Sequence, residues 1–480
     1  MKLKAIKYIL LSLLLFGLFT GCEENFLEVK NPNESTPATF WNTKADAEKA
    51  LVAAYSHLQN QVWGGKWGAY EMWEVRTCRS DLINLDDMWD PFGEMSRYRC
   101  TPAKYAIRDF WAFQYQGLLA ANQIIENIDK INESDDIKKQ ITAEAKFLRA
   151  YYHYTLVTNF GNIVLRESTP KEQSEYFKAQ ATEAEVWASI QKDLTEAAPD
   201  LPQSYSSAWK GRATEGAARF LLGKAFMAED KWSQAEAQFQ TITGLGYELI
   251  DDYTSMFTGL NEWNKESIFE INYTLDLTGG RIETISSSIM KTAWKMESPN
   301  QYLLDLFGAD TTVDGSQSKR AAGTLKPYNG STVWNKYSYY DPETNNDKSS
   351  VYNGTNMVIM RYGDALLLLA ESLNEQGKTS EAIGYINQVR TRSGVAGLDA
   401  NMSQSDLREH IRHVERPLEL ADEGHRWYDL IRWYKTSGLQ DVLKAHNRED
   451  WENFEQTDRF YPIPQNEVNA NPKLKQNPGF

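Results

Sequence analysis

Apolar residues recur at helical spacing over most of the chain. Thr43 and Asp46 form a capping-box pair ahead of Ala47, Ala50, Leu51, Ala54 and Leu58, which share one face of a predicted helix. A second helix is predicted around Tyr115, Leu118, Leu119, Ile125 and Ile128, and a third around Ile141, Ala145, Leu148, Tyr152 and Leu156. Two later segments repeat one register. Leu222, Gly223, Phe226, Ala235, Phe239 and Ile242 stand at the same spacings as Leu369, Ala370, Leu373, Ala382, Ile386 and Val389. In each, a small residue follows the first large one and an alanine opens the second helix. Small residues let antiparallel helices approach, and large ones fill the groove between them, which is the tetratricopeptide pattern. The alternative is two unrelated helical hairpins. The copies start far apart, at Leu222 and Leu369, so they are not a simple tandem array.

Between about 245 and 357 the helical pattern breaks. Gly, Asn, Ser and Tyr become frequent, predicting loops with short strands, one of them from Ser267 to Tyr273. The chain after Asn447 is again irregular, rich in Pro and Asn.

The first residues have a different character. Lys2, Lys4 and Lys7 precede an apolar run from Tyr8 to Phe19, followed by Thr20, Gly21 and Cys22. This is a charged region, a short apolar region and a small-residue cleavage site, and the run is too short to span a bilayer. Cys22 after Gly21 resembles a bacterial lipobox, in which the cysteine is acylated and becomes the new N-terminus; Phe19 stands where Leu is more usual. The alternative is an ordinary secretory signal, residues 1–21, with a chance cysteine. Glu23 and Glu24 resemble a surface-export signal of Bacteroidetes lipoproteins, or are simply a solvated tether. Export implies an oxidising compartment, so Cys78 and Cys100 are either a disulfide or two buried thiols.

Removing the leader deletes three lysines and no carboxylate, which takes the formal charge from −15 to −18. That charge argues against nucleic acid, sulfated polysaccharide or anionic lipid as the main partner. Hydrophobic content of 41% in 480 residues gives a globular protein that needs no disulfide scaffold. The motifs G-x-S-x-G, G-x-G-x-x-G and H-E-x-x-H are absent. Gly377, Lys378 and Thr379 imitate the end of a phosphate loop but sit in the turn of a predicted hairpin. His410, His413 and His425 are read as surface histidines in preference to a zinc site. No catalytic residue, metal or cofactor is assigned. Carboxylates are too numerous for a glycosidase dyad to be located from spacing.

Aromatic density is the positive signal. Trp63, Trp67, Tyr70, Trp73, Trp89, Phe92 and Tyr98 fall within 36 residues, interleaved with Arg76, Asp81, Asn84, Asp86 and Asp87. A sugar ring offers a C–H face that an indole can cover and a hydroxyl rim that carboxylates and amides can bond. The competing explanation is core packing, which suits Trp73. Gly64, Gly65 and Gly68 place Trp63 and Trp67 in loops. The acidity favours a neutral glycan.

Several motifs then converge. Phe26, Leu27 and Glu28 with Thr39, Phe40 and Trp41 form an N-terminal motif. Arg361-Tyr362 precedes Leu366 to Glu371, and Ala382, Asn387, Arg390 and Arg392 follow. Glu415, Arg416, Glu419, Glu423, Arg426, Asp429, Arg432 and Trp433 follow an ER..EL..EG.R..DL.RW pattern. The end carries Tyr461, Pro462, Ile463 and Pro464, then Asn471 and Pro472, and closes on Gln476 to Phe480. Together these resemble the SusD/RagB outer-membrane glycan-binding lipoproteins of Bacteroidetes over nearly the whole chain. Pro417 departs from a continuous helix, so the helix restarts near Glu415 with Pro417 in its first turn.

The resemblance implies a mostly α-helical, SusD-like fold, with tetratricopeptide-like hairpins and an irregular ligand-binding half. It implies one domain over 22–480, an N-terminal part of about 22–230 and a C-terminal part of about 265–480. It implies a lipid anchor at Cys22 facing the cell exterior and a SusC-like TonB-dependent transporter as partner. Its motifs report structure, and the network around Arg416, Glu419 and Arg426 is expected to tie the C-terminal region to the helices. Glycan contacts are expected after the first helix, at Trp63, Trp67, Trp89, Tyr98, Arg76, Asp81, Asn84 and Asp87. The middle region is expected to add Trp294, Tyr328 and Trp334. Rival readings are a repeat scaffold whose ligand is a protein, and a surface glycosidase.

Overall fold

The computed structural model describes residues 40–59, 75–85, 92–273, 297–328, 330–337, 340–341, 346–347 and 355–480. The leader and Cys22 lie outside them. Helix α1 (Lys44–Ser56) starts on the predicted capping box: the Thr43 hydroxyl accepts from Asp46 N at 3.3 Å, and Asp46 Oδ2 accepts from Thr43 N at 3.0 Å. Then come α2 (Tyr105–Asn127), α3 (Asp135–Phe160), α4 (Glu183–Ala197), α5 (Glu215–Ala228) and α6 (Trp232–Ile242). Each of α2 to α6 packs against the next, and α1 lies against α2 and α3.

The stack continues through space. Helix α6 packs on α8 (Tyr362–Glu375), which pairs with α9 (Thr379–Arg392). The two hairpins that share a register in sequence are therefore neighbours in the fold, and the irregular region is an insertion between them. Their shared positions are buried, except that Phe226 is half-buried. A Cβ on Gly223 would stand 2.5 Å from the Phe239 ring, so the close approach needs glycine there. Gly377, at φ +79°, ends the α8–α9 turn in the left-handed region.

The insertion is less irregular than its composition suggests. Asn300 caps α7 (Gln301–Ala309) by accepting from Leu303 N at 2.9 Å, and a one-turn helix spans Lys319–Thr324. The strands are short and pair antiparallel, one of them coming from outside the insertion. β1 (Ile83–Leu85) pairs with β3 (Glu297–Pro299), β2 (Ser267–Ile271) with β6 (Met357–Arg361), and β4 (Leu325–Tyr328) with β5 (Ser331–Trp334). The strand predicted for Ser267–Tyr273 ends two residues early.

A belt of buried charge joins the C-terminal half to this stack. At the β6–α8 junction, fully buried Arg361 binds Glu423 at 2.7 Å, Glu419 at 2.6 Å and Glu266 at 2.9 Å. Lys336 binds Glu423 at 2.6 Å, and Arg392 binds Glu266 and Glu419. Three cations thus face three carboxylates. Beside them Arg416 bridges Asp364 and Asp429, and Arg432 bridges Asp429 and Glu371. The charged motif residues are structural, as expected. A π-helical turn, Ile411–Glu415, runs into the short helix Arg416–Leu420, which carries Pro417 in its first turn. That restart keeps both Glu415 and Glu419 aimed at buried arginines.

The C-terminal tail closes against α3. Tyr461 N donates to Asn159 O, the Tyr461 hydroxyl donates to Val75 O, and Asn477 Nδ2 donates to Phe160 O. Among the described residues no helix is long and apolar enough to cross a membrane.

Candidate functional site

The β1–β3 ribbon organises the candidate site. Leu85 pairs with Glu297 at its end, so the chain leaving β1 and the chain entering β3 sit side by side. Trp89 and Asp87 lie in the segment just after Leu85, and Trp294 in the segment just before Glu297. All three, with Trp63 and Trp67, fall outside the described residues. A second junction repeats this arrangement. Gln59, the last described residue after α1, donates through Nε2 to Asn272 O at 2.7 Å. Gln59 precedes the segment carrying Trp63 and Trp67 in sequence, and Asn272 precedes the one carrying Trp294. Two stretches more than 200 residues apart are tied together at both places, with |i−j| of 213 at the Gln59–Asn272 bond.

Along β1 the period of two buries Ile83 and Leu85 and turns Asn84 to the opposite side. Asn84 is half-buried, and its Oδ1 accepts from Arg448 Nη1 at 3.4 Å. Arg76 is also half-buried, with both Nη atoms 3.2 Å from the Tyr151 hydroxyl. It lines a narrow pocket of about 60 Å³ with Lys224 and His425. That space holds a few waters and no sugar ring. Burial lowers the Lys224 ammonium to about 8 and the His425 imidazole to about 4.

Three expected contacts are corrected. Tyr98 is 7% exposed; its hydroxyl donates to Arg79 O at 2.9 Å, and its ring packs edge-on to Phe454. Trp334 is 1% exposed at the end of β5, opposite Leu325. Asp81 is fully buried, accepting from Arg426 Nε at 2.7 Å and Nη2 at 2.6 Å, with His446 Nδ1 at 2.6 Å. Burial pushes its carboxyl up, and Arg426 and His446 pull it far below the usual range. All three serve the core because tertiary contacts, invisible at the local level, claim them. Tyr328 lies on β4, and nothing further is placed for its side chain.

The cysteines form no disulfide. Both are buried thiols; Cys78 Sγ lies 3.3 Å from the Tyr461 hydroxyl, and burial pushes the Cys100 thiol up to about 12. The histidines have other partners: His410 Nε2 is 2.9 Å from Glu415, and His413 Nε2 is 3.0 Å from the Tyr434 hydroxyl. Among the described residues no group of three potential ligands could hold a metal ion.

One exposed tryptophan was missed. Of the ten tryptophans among the described residues, Trp209 alone is exposed, at 45%. Its Ser206-Ser207-Ala208 and Gly211 surroundings carry the same loop signal that marks Trp63 and Trp67. It lines an open cleft of about 310 Å³ beside the Gln59–Asn272 junction.

Comparison with known proteins agrees with this architecture. Residues 25–227 match the family model described as "Starch-binding associating with outer membrane", and residues 310–480 match the SusD family model. SusD-like protein P2 of Formosa agariphila is 27% identical, covering 99% of this chain and 100% of its own. The structure of a SusD superfamily protein from Bacteroides vulgatus superposes with a TM-score of 0.80 at 25% identity, covering 92% of this chain and 100% of that one. A laminarin-binding SusD-like protein superposes at 0.76 and 27% identity, covering 92% and 100%. The hairpin stack, the charged motif belt and these matches along both halves lead to one conclusion: the chain belongs to the SusD family.

Proposed function

We propose that this protein captures a neutral oligosaccharide or polysaccharide at the cell surface, without breaking it, and passes it to a SusC-like TonB-dependent transporter in the outer membrane. Cys22 is the lipid anchor in this reading, which holds the protein on the outer face. The observation that carries it is the β1–β3 ribbon, which pairs Leu85, just before the segment carrying Trp89 in sequence, with Glu297, just after the one carrying Trp294. Indoles brought in from two chain segments can cover a sugar face, while Asn84 and Asp87 offer rim contacts. The laminarin-binding relative and the outer-membrane description of the N-terminal family model support the reading. Binding by stacking and hydroxyl hydrogen bonds needs no nucleophile, acid or metal.

The test is affinity electrophoresis of the full chain through gels holding laminarin, starch, xylan or mannan. At least one glycan retards the wild type, and combined alanine replacement of Trp63, Trp67, Trp89 and Trp294 abolishes the retardation. Unchanged retention in that variant would show that the site is elsewhere. An apolar groove of about 420 Å³ on the outer side of α2, with exposed Leu119, Tyr176 and Phe177, favours a compatible second role in holding a protein partner. Co-purification of a barrel protein lost on Tyr176→Ser/Phe177→Ser, with glycan retention kept, would separate the two roles.

A further inference from the structure

Trp209 stands on a loop that the fold holds rigid. The one-turn helix Ser207–Trp209 starts with Trp209 N donating to Ser206 O at 2.9 Å. Asn272 Nδ2 then donates to Lys210 O at 3.0 Å. Gly211 follows at φ +105°, and a Cβ there would meet Asn272 Nδ2 at 2.3 Å, so the chain can turn under Asn272 only with glycine. Arg212 anchors the far end, bonding Glu144 through Nε and Nη2 at 2.6 and 2.7 Å and Glu48 through Nη1 at 2.8 Å.

The guanidinium of Arg212 lies 5.0 Å from the Trp209 ring centroid and 5.6 Å from that of Tyr205. Its charge is already met by two carboxylates, so the ion pair does not require the indole. What the stack does is hold the ring in one orientation. A large apolar ring is thus fixed in place and left 45% exposed, where core packing gains little from it.

The cleft in front of the ring has a definite chemistry. Its formal charges balance, with Glu48 and Glu270 against Arg212 and Lys210. Val52 adds a second exposed apolar surface, and the Asn272 amide sits on the rim. Balanced charge, a flat apolar floor and amide hydrogen bonding suit an uncharged polyhydroxylated ring better than an anion, a cation or a lipid chain. The cleft also opens beside the Gln59–Asn272 junction, after which the chain runs on to Trp63 and Trp67 on one side and to Trp294 on the other.

We propose that Trp209 is the floor of a further pyranose subsite, in the cleft between the end of α1 and the 205–212 loop, which takes one neutral hexose unit of a bound glycan. The inference rests on the glycan-capture reading for its biological meaning, and its chemistry is tested separately. The indole covers the C–H face of the ring, and Asn272 and Lys210 meet its hydroxyls. A chain long enough to reach from the ribbon site gains affinity from it; a short one does not.

The experiment uses the full chain labelled with 5-fluorotryptophan, in which the Trp209 ¹⁹F resonance is identified by its loss in Trp209→Tyr. Titration with methyl glucosides, galactosides and mannosides is expected to shift that resonance saturably with at least one of them. With the longest oligosaccharide that the wild type binds, Trp209→Ala is expected to weaken binding at least about fivefold, and Trp209→Tyr by no more than about twofold. A resonance unmoved by every pyranoside, or a folded Trp209→Ala variant with wild-type affinity, overturns the subsite. If Trp209→Ala does not fold, the labelled wild type decides alone. If no polysaccharide is retained but the Trp209 signal moves, the capture reading falls and the subsite stands. If neither responds, both fall.

Discussion

Gly223 and Arg361 sit at equally buried joints and hold them by opposite means. At the α5–α6 seam the absence of a side chain lets the Phe239 ring close to contact, and shape alone specifies the pairing. At the β6–α8 junction a full-length arginine is sealed from water and met by Glu266, Glu419 and Glu423. The seam gains from every apolar group it buries. The belt gains only if every charge finds its partner, because an orphaned charge in that interior costs more than the pair contributes. The seam is therefore graded in its response to change, and the belt is close to all-or-none. This matches their roles: hairpins stack as similar units, whereas the belt must join elements from five parts of the chain in one arrangement.

The sharpest way to break that contrast is Arg361→Met. It leaves three carboxylates facing Lys336, Arg392 and the more distant Arg320, and it is expected to cost about 3–5 kcal/mol in urea unfolding, or to prevent folding. A loss below about 1 kcal/mol would mean that the belt is as tolerant as the seam.

Acid is expected to act next most strongly, and on the belt. Burial raises the Glu423 carboxyl, but Arg361 and Lys336 pull harder and leave it at about 2, below its ordinary 4.5. Its contribution is full above pH 4.5 and is lost as the pH falls towards 2. Burial lowers His425 to about 4 from 6.5, so the unfolded chain binds its proton first and stability also falls between those values. Unfolding midpoints should drop from about pH 6.5 downwards. A flat profile between pH 6.5 and 4 would contradict the His425 assignment, and one flat from pH 4.5 down to 2 the Glu423 assignment.

At the seam, Gly223→Leu is expected to cost about 1–3 kcal/mol through overpacking, with part of it recovered by adding Phe239→Ala. Strict additivity of the two changes would show that they do not share the joint. The smallest effect belongs to a helix end: Thr43→Ala removes the cap of α1 and should cost about 1 kcal/mol, read from the same denaturation curves.

The helical half was legible because its signals are local. The Thr43–Asp46 box, the stripe of α1 and the shared register of the two hairpins each depend on residues within a few turns of one another. The position of Pro417 was legible for the same reason. Helix α7 was not, since it is short and set among loop-forming residues, and only the Asn300 cap marks its start. The candidate site was legible in part. Aromatic clustering could not separate Tyr98 and Trp334, which the core claims, from Trp209, which the fold leaves exposed. Asp81 looked like a rim carboxylate until Arg426 and His446, far along the chain, were placed around it. The two thiols, whose pairing was open, turn out to be separately buried.

By itself the sequence determined the main helical stripes, the start of α1, which two hairpins share one design, and which motif family they belong to. Those properties follow from backbone capping, side-chain periodicity and small-residue spacing, all set within a short stretch of chain. The tertiary structure alone decided that the two hairpins stack directly across their long insertion, which charges meet inside the belt, and which aromatics face water. Those outcomes depend on contacts between residues hundreds of positions apart. Burial and charge pairing there are properties of the assembled neighbourhood, and no local pattern carries them.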